Sequence, residues 1–210
     1  MIVDIAAITA KAPVVPVLTI ERPADAVPLA RALVRGGLPV IEITFRTGAA
    51  LEALRAIATE VPEAIVGAGT VLNARQLAQA QQAGARFAVS PGCTPALAGA
   101  ALKEGLPFLP GVQTVSEAMA LAEQGFTLLK FFPADTAGGV GWLKAVAAPL
   151  AGLRFCPTGG IGPETAPAYL SLANVVCVGG SWVAPRDSVA AQDWTNIERL
   201  AAAAANLKRC

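Results

Sequence analysis

Histidine is missing from all 210 residues. Its absence removes His-centred triads, His general bases and the commonest zinc-ligand sets together, so acid–base chemistry falls to carboxylates, lysines or hydroxyls. Aromatic residues make up only 5%, there is no basic run, and 16 Lys and Arg against 15 Asp and Glu leave a net charge of +1. A nucleic-acid surface needs a basic stripe or stacking aromatics, so no nucleic-acid partner is expected. The four cysteines, Cys93, Cys156, Cys177 and Cys210, have no C-x-x-C spacing, and the first residues, which include Asp4, have no basic n-region. Reduced thiols and a cytoplasmic location without a signal peptide are the expectation. One stretch, 165–185, is free of formal charge and long enough to span a bilayer. Pro167, Asn174, Gly179, Gly180 and Pro185 interrupt it, so it reads as buried α/β segments and no membrane partner is expected.

What the chain does have is alternation. Short apolar runs rich in β-branched residues take turns with longer stretches of helical period. "VVPVLTI" (14–20) precedes a helical pattern with Val27, Ala30, Leu33 and Val34 on one face, stopped by Gly36 or Gly37. "VIEITF" (40–45) precedes a stripe of Leu51, Leu54, Ile57, Ala58 and Val61. The pattern continues through "AIVGAGT", "RFAVSPG", "PFLPG", "LLKFFP", "RFCPTGG" and "VVCVGGS", each followed by a helical stretch, the last beginning near 193. About eight such units over residues 1–210 point to one domain, an α/β (β/α)8 TIM barrel. An open doubly wound sheet uses the same alternation, but no G-x-G-x-x-G opens the first helix.

In a barrel, alternate strand residues point inward. Along "VIEITFR", Ile41, Ile43 and Phe45 fall on one side and Glu42, Thr44 and Arg46 on the other, so the polar set is the inward one. Charges aimed into a packed interior are costly unless paired or working. Lys130 shares its side of "LLKFFP" with Leu128 and Phe132, and of the five lysines it alone lies in a strand. It either forms a structural ion pair with Glu42 or acts as a Schiff-base nucleophile, since burial and a neighbouring cation such as Arg46 favour the neutral form of an amine. "PTGGIGP" (157–163) and "CVGGSWV" (177–183) follow the seventh and eighth strands, the usual phosphate position in this architecture. Glycines let backbone N–H groups approach phosphate oxygens, with Thr158 and Ser181 beside them. Thr70 closes the third strand, where its hydroxyl can reach a carboxylate. Cys156 and Cys177 have no base partner and read as small core residues.

The ordered set "EITFRT", "IVGAGTV", "VSPG", "LPGV", "KFFPA", "RFCPTGGI" and "VGGSW", from about residue 13 to 185, resembles the 2-keto-3-deoxy-6-phosphogluconate (KDPG) aldolases and their 4-hydroxy-2-oxoglutarate (KHG) aldolase siblings. The resemblance implies a homotrimeric (β/α)8 barrel with an extra N-terminal helix. It also implies a class I aldolase of the Entner–Doudoroff pathway that uses no metal or other cofactor and takes a small-molecule substrate, KDPG, reversibly to pyruvate and D-glyceraldehyde 3-phosphate. It assigns Lys130 as the Schiff-base lysine and Glu42 as the general acid/base. Arg46 and Thr70 match the residues that hold the pyruvate carboxylate, and Pro91 and Phe132 match its pocket wall. Thr158 matches the position of stereochemical control, and Gly159, Gly160, Gly180 and Ser181 match the phosphate end. Phe45 and Cys93 stand where leucine is commoner, and Asp135 where glutamate is. Two rivals stand beside this expectation: an aldolase for an unphosphorylated 2-keto-4-hydroxy acid such as KHG, and a non-catalytic phosphosugar-binding barrel.

Overall fold

The computed structural model describes residues 4–210. A short helix α1 (Ile5–Thr9) precedes β1 (Val14–Leu18), and a 3-10 turn (Pro23–Asp25) leads into α2 (Ala26–Arg35). Then come β2 (Val40–Thr44), α3 (Ala50–Glu60), β3 (Ile65–Gly69), α4 (Ala74–Gln82), β4 (Ala88–Val89) and α5 (Pro95–Glu104). Two short strands, β5 (Phe108–Leu109) and β6 (Gly111–Val112), precede α6 (Val115–Ala122), β7 (Leu128–Phe131) and α7 (Gly139–Val146). The chain ends with β8 (Arg154–Pro157), α8 (Ala166–Leu170), β9 (Val178–Gly180), α9 (Arg186–Ala190) and α10 (Trp194–Ala205).

All strand pairs are parallel, in the orders β5-β4-β3-β2-β1-β9 and β6-β7-β8. From β1 to β5 each strand lies beside its chain neighbour, without the reversal of order that a doubly wound sheet requires. The fold is therefore α/β with a curled parallel sheet. Only Pro110 separates β5 from β6, and the pairs Phe155–Val175 and Thr158–Gly179 link β8 to the segment ending in β9. Where one continuous run "PFLPG" was expected there are two short strands. Proline has no N–H for the ladder, and its carbonyl accepts instead from Lys130 N at 2.8 Å.

The strand alternation sorts side chains into two apolar clusters. Ile41 and Ile43, with Leu129 and Phe131, join the helices in the larger one. Val15, Val40, Val89, Leu109, Leu128 and Cys156 belong to a second cluster, on which Ile5, Ala6 and Ile8 of α1 also pack. Glu42 is in phase with Val40, and Lys130 with Leu128, so both charges emerge on the face of this second cluster. The charge-free stretch 165–185 is divided between α8 and β9, and no helix among the described residues is long and apolar enough to cross a membrane.

Candidate active site

All five residues of β2 are buried, Glu42 among them. Lys130, on β7, donates from Nζ to Glu42 Oε1 at 3.3 Å, and each side chain is only 4% exposed. Gly69 makes room for the carboxylate, because a Cβ there would overlap it. The ring of Phe132 lies 5.4 Å from Nζ, in cation–π range. Cys156 sits opposite Lys130 across the β7–β8 ladder, and Gly111 opposite it across β6–β7. The Pro91 backbone backs onto Gly111, which places Pro91 one strand away from the lysine.

Arg46 lies in the turn after β2 and not within the strand. Its guanidinium is exposed and donates from Nε to Thr70 Oγ1 at 3.1 Å. Of the two neighbours the sequence offered for Lys130, the Glu42 carboxylate is the one within ion-pair distance, while Arg46 is engaged with Thr70. Thr70 has φ +55°, a left-handed conformation that costs a β-branched residue on the order of 1–3 kcal/mol. Such strain persists where surrounding contacts over-determine it, and here the hydroxyl is held against Arg46. Thr44, expected in the inward polar set, is buried with its hydroxyl bonded to Leu18 O at 2.9 Å and to Thr19 Oγ1 at 3.0 Å.

A cavity of about 790 Å³ opens at the carboxyl ends of β1, β8 and β9. Arg46, Phe132, Thr158, Gly159, Gly160, Gly180 and Ser181 all line it. Thr70 and Pro91 do not, and neither Lys130 nor Glu42 reaches its surface; Phe132 and Thr158 form the wall between. Gly159 and Gly160 have φ of +100° and +76°, so the turn after β8 needs residues without Cβ. Ala134 N and Asp135 N donate to Thr158 O at 2.8 Å and to Gly159 O at 3.1 Å. A Cβ on Gly160 would overlap Asp135. Asp135 therefore braces the glycine turn.

Two of the thiols contact each other. Cys177 donates to Cys156 Sγ at 3.4 Å, and that hydrogen bond together with full burial pushes the Cys177 thiol well above its ordinary range. Burial pushes the Cys93 thiol up to about 11. Among the cavity-lining residues that sequence periodicity missed are Glu21, Arg22, Asp25, Trp182 and Arg186. The signal for Arg22 and Asp25 was their position just beyond the end of β1, where the strand-end rule applied to the other strands applies equally.

A buried lysine–carboxylate pair beside a cavity at the strand ends of a parallel α/β fold is an arrangement suited to carbonyl chemistry. Residues 5–200 match the family model described as KDPG and KHG aldolase, and the chain belongs to this family of aldolases, which are carbon–carbon lyases. The 2-dehydro-3-deoxy-phosphogluconate aldolase of Pseudoalteromonas atlantica is 54% identical over 189 residues, 90% of this chain and 88% of that one. The 2-keto-3-deoxy-6-phosphogluconate aldolase of Zymomonas mobilis, solved with 3-phosphoglycerate, superimposes with a TM-score of 0.95 at 48% identity, covering 100% of this chain and 99% of its own. A KDPG aldolase from Legionella pneumophila, solved with pyruvate captured as a covalent carbinolamine, has a TM-score of 0.95 at 43% identity, covering 97% and 99%.

Proposed function

We propose that this chain reversibly cleaves KDPG to pyruvate and D-glyceraldehyde 3-phosphate through a Schiff base on Lys130. The observation that carries the reading is the buried Nζ–Oε1 contact between Lys130 and Glu42. Along that hydrogen bond Glu42 takes the proton that the ammonium must lose before Nζ attacks the C2 carbonyl. The carbinolamine loses water, with Glu42 returning the proton to the departing hydroxyl. The protonated imine is an electron sink, so transfer of the C4 hydroxyl proton to the Glu42 carboxylate breaks C3–C4, releases D-glyceraldehyde 3-phosphate and leaves an enamine of pyruvate. Protonation at C3 and hydrolysis release pyruvate and regenerate the amine.

Arg46, paired with Thr70, holds the pyruvate carboxylate, and Pro91 and Phe132 wall its methyl side. Thr158 faces C4, and the turns at Gly159, Gly160, Gly180 and Ser181 receive the phosphate. The strand pairings support an eight-stranded closed barrel, with β5 and β6 as one strand bent at Pro110 and with α1 across the narrow end as the extra helix. On this reading the chain is one domain over residues 1–210 and forms a homotrimer; the exposed apolar residues Leu102 and Met119 support the assembly.

Pyruvate with borohydride should add one reduced pyruvate to the protein, mapped to Lys130 by mass spectrometry. Absence of the adduct, or aldolase turnover in Lys130→Met, overturns the mechanism. KHG is the second substrate reading, favoured by the family's breadth. Relative turnover of KDPG and KHG decides between them.

A further inference from the structure

Around the mouth, three neighbouring strands deliver three neighbouring loops. Thr158 pairs with Gly179, and Pro16 pairs with Gly180, so the order is β8, β9, β1. The first two loops are the glycine turns. The third carries Arg22, which lines the same cavity as Gly159, Gly160 and Ser181.

Arg22 is built into position. Its Nε and Nη2 donate to Asp25 Oδ2 at 2.8 Å and Oδ1 at 3.0 Å, a two-pronged grip that fixes the guanidinium plane. Asp25 is itself 4% exposed, and Gln192 Nε2 donates to its Oδ1 at 3.4 Å, tying the carboxylate to the segment after α9. The grip occupies one edge of the fork. Nη1 and the remaining Nη2 hydrogen stay available on a side chain that is 56% exposed at the cavity.

Glu21, Arg22, Asp25, Arg46 and Arg186 are the ionisable side chains of the cavity. Arg46 is engaged with Thr70 beside the strand ends of β2 and β3, and Asp25 is paired with Arg22, whose unpaired N–H groups remain open to the cavity. A cavity of about 790 Å³ also leaves room beyond a three-carbon pyruvyl unit for a charged distal group.

We infer that Arg22, locked by Asp25, is the residue by which the enzyme tells a distal phosphate from an uncharged hydroxyl. This inference rests on the substrate reading above. Arg22 contacts the phosphate oxygens opposite the glycine turns, and Asp25 is a positioning residue that acts through it. The gain over glycine turns alone is selectivity: backbone N–H groups bind a phosphate or a hydroxyl oxygen, whereas a fixed guanidinium rewards the charge.

The test compares KDPG with unphosphorylated 2-keto-3-deoxygluconate, which has the same carbon chain. Arg22→Ala should lower the ratio of kcat/KM for the two substrates by about 10- to 100-fold, mostly through KM for KDPG, with Arg22→Lys recovering part of it. Asp25→Asn should shift the ratio in the same direction and add little in an Arg22→Ala background, as expected of a residue acting through Arg22. A ratio within about twofold of the parent in Arg22→Ala would overturn the assignment. Inorganic phosphate serves as a second probe that needs no turnover. Its protection of the folded chain against heat should weaken in Arg22→Ala. If the parent protein turns over neither substrate, the function reading fails while the phosphate arm still decides the role of Arg22; equal protection of both proteins overturns it.

Discussion

Lys130 and Glu42 are poor choices for stability. Each is taken out of water, and a buried pair seldom outperforms well-packed apolar residues of similar volume. Removing one partner is worse, since it strands the other charge. Lys130→Met should therefore lower unfolding free energy by about 3–5 kcal/mol, while Lys130→Met with Glu42→Leu should regain most of that loss. Urea unfolding of the two variants and the parent measures this; a double variant as unstable as the single one would show that the pair stabilises the fold in its own right. Both variants should be inactive. At this scale much was legible in the sequence: Glu42 and Lys130 stand out because each interrupts an apolar strand in phase with inward residues. The Glu42–Lys130 contact itself was one of two open alternatives, because periodicity gives the side of a strand and not the partner across a barrel. Thr70 was legible as a strand-end hydroxyl, but its left-handed backbone was not, since nothing about a threonine in "GAGT" signals positive φ.

At the scale of elements, boundaries depend on local chemistry that periodicity does not see. The apolar period around 115–124 would carry α6 two residues further than it runs. Its start is sharper: Thr114 accepts from Glu117 N at 3.2 Å while the Glu117 carboxylate accepts from Thr114 N at 2.8 Å, a reciprocal cap. Partial burial works against the charge on Glu117, yet hydrogen bonds from Gln113 N, Thr114 N and the Thr114 side chain overcome it and hold the carboxyl below its ordinary 4.5. A carboxyl lowered on folding contributes stability that is fully present above its unfolded value and lost as pH falls through the folded one. Thr114→Ala should cost about 1 kcal/mol at neutral pH. The advantage of the parent over Glu117→Gln should shrink as pH drops below about 4.5. Thermal melts from pH 7 to pH 3 check both, and a difference that grows in acid would contradict the cap. Helix α9 escaped the sequence reading because five residues are too few to show a period.

The whole molecule keeps its main cavity and the exposed apolar side chains of α5 and α6 at different places. The cavity lies at the carboxyl ends of β1, β8 and β9, whereas Leu102, at 55% exposure, and Met119, at 51%, sit on α5 and α6. A second, smaller cavity of about 230 Å³ includes Leu102, Gly105 and Phe126 and lies apart from the first. In the homotrimer proposed above, a contact on α5 and α6 would take these two apolar side chains out of water. The alanine-rich composition was compatible with such a surface but equally with helices packed on a sheet, so the assembly was legible only through the family resemblance. If the homotrimer is correct, sedimentation equilibrium should return three times the chain mass. Leu102→Glu combined with Met119→Glu should shift that mass downward if these residues lie in the contact, because two like charges would have to be buried without partners. An unchanged trimer in the double variant would place the contact elsewhere, and a monomeric parent would remove the trimer altogether. Because neither residue touches the cavity, the borohydride adduct on Lys130 should still form in whatever assembly the variant adopts, which separates the architecture of the enzyme from its chemistry.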